Sequence, residues 1–359
     1  MILKYINKLV SLLRRVLKRK SNKGNIAVLS FKFLRDTVFT IPAVELIQKS
    51  YPDYKLTIFC YRESKAIYEL YFKDLSYECY GRKDWDLDSR RPNLRVFRGI
   101  KRIRSLRFEM IFDFTILYKS ALICLFSGAG VSVGFGNKIL AGCYDYFSPK
   151  KRNCHLMDMF VSSLEKVMPE GFSAVKEFPL ELKEIKKILI HPLAGWKAKE
   201  WNHEKYLTLA SQLKNDYEVE FVAEYGIFSP DLIRNISEMN LKLVQTPGMD
   251  ELFEAVKNND LIISNDTGII YIASLLGKPT FTIYGPTNPE YSIPFGKYHK
   301  FIQKKIVCSP KPGEQYCYLE AGKKCPLFEC MNRLSVQEVH EKLDLFIAEI
   351  NNDKNLPPF

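Results

Sequence analysis

No apolar run in this 359-residue chain approaches the length that spans a bilayer, so a transmembrane helix is not expected. The apolar positions near the start are broken by charges and no small-residue cleavage site follows them, so a secretory leader is not expected either. Histidine is scarce: there are five, and no H-x-x-x-H pair stands ready to hold a metal on one helix face. G-x-G-x-x-G and the P-loop pattern are both missing, which disfavours ordinary dinucleotide binding and ATP hydrolysis of that type. Tight C-x-x-C pairs are missing as well, so the cysteines do not read as a zinc ribbon. Acidic charge is missing from the whole beginning of the chain, where nothing acidic precedes Asp36.

What is present suits a folded protein with an acidic partner. Hydrophobic residues make up 47% and charged residues 26%, which excludes wholesale disorder. The length suits two domains, because single cores stop growing near about 250–300 residues. The net charge of +12 calls for nucleic acid, anionic lipid or a phosphorylated substrate. Nucleic acid is disfavoured, since the basic residues concentrate near the start and in 81–107 without a recognisable RNA- or DNA-binding motif. Five of the nine cysteines, Cys60, Cys79, Cys124, Cys143 and Cys154, stand at no metal-ligand spacing, which fits a reducing cytoplasm. Cys308, Cys317, Cys325 and Cys330 lie close together in a Pro/Gly/Lys-rich stretch and read as buried thiols, a local disulfide or a zinc site.

Residues 1–24 read as a basic amphipathic helix. Ile2, Ile6, Leu9, Leu13, Val16 and Leu17 recur at helical spacing, with Lys4, Lys8, Arg15 and Lys18 on the opposite face. Such a helix either packs on the protein's own body with its basic face in solvent, or lies on anionic lipid. Residues 25–170 alternate strands (26–33, 55–60, 111–115, 131–135) with helical stretches, including one ending near Ser50 in which Pro42 marks a kink or a restart. The stretch 171–187 reads as a linker. Residues 188–334 repeat the alternation, and 335–359 form a helix and tail opened by the capping box Ser335-x-x-Glu338. The fold class is therefore α/β, with two doubly wound sheets.

The most informative stretch is 260–289. The apolar run Leu261-Ile262-Ile263 breaks at Ser264-Asn265-Asp266-Thr267-Gly268, a helix follows to Leu276, and Gly277 and Pro279 lead into a second strand ending at Gly285-Pro286-Thr287. Strand, helix start and strand make one βαβ crossover, and open α/β sheets bind ligands at such strand ends. Backbone N–H groups at Thr267, Gly268 and Ile269 suit a phosphate there, with the helix dipole adding partial positive charge.

The same residues carry a resemblance. Asp266-Thr267-Gly268, Ala273, Gly277-Lys278-Pro279 and Tyr284-Gly285-Pro286-Thr287 resemble the nucleotide-sugar signature of the heptosyltransferases, glycosyltransferase family 9, and the likeness spans most of 26–345. It implies a GT-B fold, two Rossmann-like domains facing a central cleft, with 25–170 binding the acceptor and 188–334 the nucleotide sugar. It also implies inverting transfer from a nucleotide diphosphate donor, typically ADP-heptose, onto lipopolysaccharide or a related glycan. In that reading Ala194, Gly195, Asp266, Thr267, Gly268, Gly285 and Thr287 line the donor pocket, with Glu224 and Met249 near the nucleoside. Tyr271 stands where the family has His.

Two residues are expected to carry the chemistry. Phe33-Leu34-Arg35-Asp36-Thr37-Val38 resembles the family's first loop, whose Asp is the catalytic base. Asp36 matches it, and Arg35 replaces the customary Gly. From spacing alone, Asp36 reads as a helix N-cap. Lys199-Glu200-Trp201 fits the family's Lys-x-Trp, which puts Lys199 on the donor diphosphate as a mobile charge; by residue type alone it reads as solvent-facing. His191 reads as structural. No D-x-D pair stands in a suitable loop, so neither metal nor cofactor is expected, and the leaving charge falls to Lys199 and the helix start at 267–268. The partners implied are the nucleotide-sugar donor, a lipid-linked or oligosaccharide acceptor and an anionic membrane surface, which places the protein in the cytoplasm, peripheral on the inner face of the cytoplasmic membrane. Two rival readings stay open: a GT-B glycosyltransferase with another nucleotide sugar, and a non-catalytic nucleotide-sugar-binding module.

Overall fold

Short apolar runs bounded by turn residues assemble into two six-stranded parallel sheets, one in each of two units, Met1–Val175 and Lys176–Phe359. The structure, a computed structural model, describes residues 2–19, 23–87, 94–151, 153–168, 173–317 and 325–353. The expected linker positions 171–172, part of the basic stretch 81–107 and the tail at 354–359 lie outside these.

Unit 1 holds β1 (Asn25–Ser30), β2 (Lys55–Tyr61), β3 (Ser76–Tyr80), β4 (Met110–Asp113), β5 (Val131–Gly136) and β6 (Tyr146–Pro149), in the order β3-β2-β1-β4-β5-β6. The central strands are continuous apolar runs because both faces are covered, as β1 illustrates with five of its six residues buried. The edge strands β3 and β6 have no place in the sequence reading. β3 mixes polar and aromatic residues, each only half-buried, and β6 ends in Pro149, so neither shows the run of a central strand.

The helix α1 (Ile2–Leu17) clusters with unit 1 and packs beside the short 3-10 turn Lys138–Cys143. The helix α2 (Leu34–Ser50) runs unbroken through Pro42, so the sequence-based restart does not occur. Ten buried side chains on α2 offset the hydrogen bond that a proline removes. Its N-cap is Phe33, in extended conformation, and Asp36 lies inside the first turn without a capping role. The N-cap reading of Asp36 is corrected accordingly.

Unit 2 holds β7 (Lys187–His191), β8 (Glu218–Glu224), β9 (Lys242–Thr246), β10 (Leu261–Asn265), β11 (Thr280–Tyr284) and β12 (His299–Gln303), in the order β12-β11-β10-β7-β8-β9. Ile188, Ile190, Trp201, Phe221, Ile263 and Phe281 fill one side of the sheet, and the helix Val336–Asp353 covers them with Leu343, Phe346 and Ile350. Its capping box forms as expected: the Ser335 N–H donates to Glu338 Oε2 at 2.9 Å and the Glu338 N–H to Ser335 Oγ at 3.2 Å.

Candidate active site

In unit 2 the strand order reverses between β7 and β10, and the crevice outside their carboxyl ends is where such a sheet takes a ligand. Asn265, the last residue of β10, ties the two sides together. Its Nδ2 donates to the Pro192 carbonyl at 2.7 Å, and its Oδ1 accepts the Trp201 N–H at 3.1 Å and the Tyr206 hydroxyl at 3.0 Å. The loop 192–201 is thereby clamped to β10, and Trp201 is anchored by its indole N–H on the Leu334 carbonyl at 3.0 Å. Sequence reasoning gave Asn265 no role of its own, although a polar amide closing an apolar strand was a signal for it.

Next in the chain is Asp266, on which the expected donor-site residues converge. The Lys199 ammonium reaches its Oδ2 at 2.5 Å and its carbonyl at 3.2 Å, Thr287 Oγ1 donates to Oδ2 at 2.9 Å, and the Tyr271 hydroxyl donates to Oδ1 at 2.9 Å. Lys199 and Asp266 are both buried, and the ammonium also sits 4.5 Å from the centre of the Trp196 ring. Lys199 is therefore held in place, and neither a solvent-facing nor a freely mobile lysine describes it. Tyr271 is fully buried, and its hydroxyl orients Asp266.

Around this hub the remaining positions lie at strand ends on the same edge of the sheet. Thr267 is extended and its side chain caps nothing, so it does not cover the opening amides of the helix Gly268–Leu275. Gly195 is exposed, and a Cβ there would meet nothing within 4 Å, while Ala194 beside it is half-buried. Gly285 is a packing requirement: a Cβ would lie 2.8 Å from Met331 Sδ. Gln303 holds that loop by donating from Nε2 to the carbonyls of Gly285 and Thr287, both at 2.8 Å. Glu224 ends β8 and is exposed; Met249 opens the helix after β9 and is half-buried. His191, whose Nδ1 lies 3.3 Å from Ser264 Oγ, has its pKa lowered to about 4 by burial, which fits a structural role.

The four clustered cysteines line a cavity of about 630 Å³ that also touches Ala198, Gly285 and Pro286. They are free thiols, so the local disulfide is not formed. Burial, with the neighbouring thiols, raises the Cys330 pKa to about 11. The Cys317 N–H donates to the Pro286 carbonyl at 2.9 Å, which fastens this segment to the loop after β11. Among the described residues no three His, Cys, Asp or Glu side chains are grouped as metal ligands.

Unit 1 has its own reversal, between β1 and β4. Asp36 follows β1 there, half-buried, with Arg35 Nε 3.0 Å from its Oδ1. The arginine that replaces glycine thus folds onto the carboxylate, with its guanidinium 6.0 Å from the centre of the Phe39 ring. At the end of β4, Asp113 is buried and accepts the Thr115 N–H at 2.8 Å and the Tyr144 hydroxyl at 2.8 Å; burial pushes its pKa up against these bonds. Lys32 donates to the Thr115 carbonyl at 3.0 Å. Ile116, a β-branched residue, has φ +64°, which marks the turn after β4 as strained. Asp113, Lys32 and Thr115 escaped sequence reasoning; the acid that closes the apolar strand Met110–Asp113 was the available signal.

The model of glycosyltransferase family 9 (heptosyltransferase) matches residues 96–320, more than half of the chain. The chain belongs to that family. Among curated relatives, lipooligosaccharide heptosyltransferase 2 of Haemophilus influenzae is 27% identical over 106 residues, 27% of this chain and 30% of the relative. Lipooligosaccharide heptosyltransferase 2 of Campylobacter jejuni is 28% identical over 177 residues, 46% of this chain and 53% of the relative. The chain thus spans about half or less of the length of these two relatives. The solved Escherichia coli heptosyltransferase WaaC with ADP-2-deoxy-2-fluoro heptose superposes with a TM-score of 0.65 at 13% identity, over 89% of this chain and 99% of that one. At that identity the likeness establishes the GT-B fold of this family-9 chain.

Proposed function

We propose that this family-9 protein is a metal-independent, inverting glycosyltransferase that moves heptose from ADP-heptose to lipopolysaccharide or a related cell-surface glycan. The observation that carries the reading is the buried Lys199–Asp266 pair, with Thr287 and Tyr271 on the same carboxylate, at the head of the helix Gly268–Leu275. Asp266 fixes the ammonium, and the helix start adds amide donors and partial positive charge for a diphosphate. Residues 188–334 of unit 2 then hold the donor, with Ala194, Gly195, Thr267, Gly268, Gly285 and Thr287 nearest the phosphates and sugar, and Glu224 and Met249 towards the nucleoside. Tyr271 acts on the donor through Asp266.

Residues 25–170 of unit 1 supply the acceptor side and the base. Asp36 takes the proton from an acceptor hydroxyl, whose oxygen forms the bond to the anomeric carbon. The bond from that carbon to the diphosphate oxygen breaks on the opposite face, so configuration inverts and nucleoside diphosphate leaves. Lys199 and the helix start stabilise the leaving charge. Arg35 occupies Oδ1 of Asp36, so the acceptor hydroxyl either displaces it or uses the other oxygen. The protein works on a lipid-linked acceptor at the inner face of the cytoplasmic membrane, a placement that the net charge of +12 supports.

The test is a screen of purified protein with ADP-, UDP- and GDP-sugars in EDTA. An ADP-sugar is expected to raise the melting temperature and to be turned over without added metal. A UDP- or GDP-sugar preference favours another GT-B transferase, and binding without turnover favours a non-catalytic module.

A further inference from the structure

A helix that docks on its own protein ordinarily buries its apolar face; α1 leaves most of its apolar side chains exposed. On its docked edge Val10 packs against the core of unit 1 and Leu17 is half-buried, and the remaining contacts are polar. Asn7 Nδ2 donates to the Lys138 carbonyl and the Gly142 N–H donates to Asn7 Oδ1, both at 3.1 Å. Arg14, buried, donates to the carbonyls of Tyr144 and Gly142 and lies 3.3 Å from Asp145. Lys18 reaches the same Asp145 at 2.9 Å and the Gly130 carbonyl at 2.6 Å. A Cβ on Gly142 would come within 2.8 Å of the Asn7 carbonyl, so the helix is seated at backbone contact.

At 100° per residue, the opposite side of α1 carries Tyr5, Ile6, Leu9, Leu12, Leu13 and Val16, all exposed, with Leu9 at 67% and Val16 at 82%. Lys4, Lys8 and Arg15 form a third, exposed strip between the apolar and the docked ones. A strip of about three turns is too long for scattered surface residues and calls for an apolar phase or a partner. The basic strip beside it, on a stretch with no acidic residue before Asp36, calls for a negative one.

We infer that α1 is a preformed interfacial anchor, pinned to unit 1 by Asn7, Arg14 and Lys18, that lays Leu9, Leu12 and Val16 into the headgroup boundary of an anionic bilayer while Lys4, Lys8 and Arg15 meet the lipid phosphates. The inference rests on the membrane placement proposed above and adds which face binds and what holds it. The pinned helix does not fold on the membrane, so its orientation, and that of unit 1, is fixed before contact.

Co-sedimentation of the full chain with phosphatidylcholine vesicles, with and without 30% phosphatidylglycerol (about one lipid in three), tests it. Binding to the anionic vesicles is expected, and the triple variant Leu9→Gln, Leu12→Gln, Val16→Gln should weaken it roughly tenfold or more. Its melting temperature and ADP affinity should stay unchanged, because none of the three docks on unit 1. Lys4→Gln, Lys8→Gln, Arg15→Gln should weaken binding at low salt and little at high salt, where screening has already removed the charge contribution. Unchanged vesicle binding in the apolar triple variant overturns the inference. So does a full-length dimer that the same variant turns into a monomer, since the strip then belongs to a second copy. Loss of ADP binding in the wild-type chain with vesicle binding intact would instead count against the donor site alone.

Discussion

Asp266 is the residue on which the proposed donor site depends. Its carboxylate accepts from Lys199, Thr287 and Tyr271, so the cost of changing it follows from what is left behind. Asp266→Asn strands the buried Lys199 ammonium, and breaking one partner of a buried pair costs about 3–5 kcal/mol. Tyr271→Phe removes one hydrogen bond to a charged group, about 1.5–3 kcal/mol. Urea unfolding of both variants is expected to rank them in that order. A second residue-scale prediction concerns pH. His299 lies buried between Thr280 and Ser274, and burial lowers its pKa to about 3. The unfolded chain, with an ordinary histidine near 6.5, binds the proton first, so this contribution is complete above about 6.5 and is lost as pH falls towards 3. By pH 5 the loss is about 2 kcal/mol. His299→Gln should show a correspondingly smaller drop in unfolding free energy between pH 8 and pH 5, and an identical drop would refute the assignment. His191 shifts the same way but is present in both proteins, so the comparison isolates His299. Lys199, Asp266 and Thr287 were each legible as motif members, yet their pairing was not. Lys199 stands 67 positions and Thr287 21 positions from Asp266, and the pairing of β10 with β7 on one side and β11 on the other brings them together.

At the scale of elements, the buried central strands and the helices that follow them were readable, because a strand covered on both faces writes itself as an apolar run. The half-buried β3 left no such run, and neither did the edge strand β6. Periodicity identified α1 as amphipathic but not its docked side, because apolar spacing says nothing about which face carries the hydrogen bonds. Packing on the body does not use up the helix: one side of α1 is docked while its apolar side stays exposed. Deleting the whole of α1 therefore strips partners from Asp145 and Gly142 as well as removing the apolar strip. Arg14→Met separates the two effects. It should lower stability by about 2–3 kcal/mol through the lost charge-assisted bonds, while vesicle binding through the apolar strip persists. A variant of unchanged melting temperature would show that the pin contributes nothing.

For the whole molecule, two doubly wound units and a family-9 signature were both legible, because the alternation of strands and helices and the residues at strand ends are local features. The polar scaffolding at the two strand-order reversals, Asn265 in one unit and Asp113 in the other, was not, since a buried polar group is recognised by its partners. The central claim of the proposal is that unit 2 holds a nucleotide sugar and that Asp36 of unit 1 activates the acceptor. The most direct measurement is the rate of heptose transfer from ADP-heptose to a lipopolysaccharide acceptor by wild-type protein and Asp36→Asn, with ADP affinity measured on the same samples. The account predicts a loss of roughly 10²–10⁴-fold in turnover with ADP affinity unchanged. Equal turnover in the two proteins would contradict it.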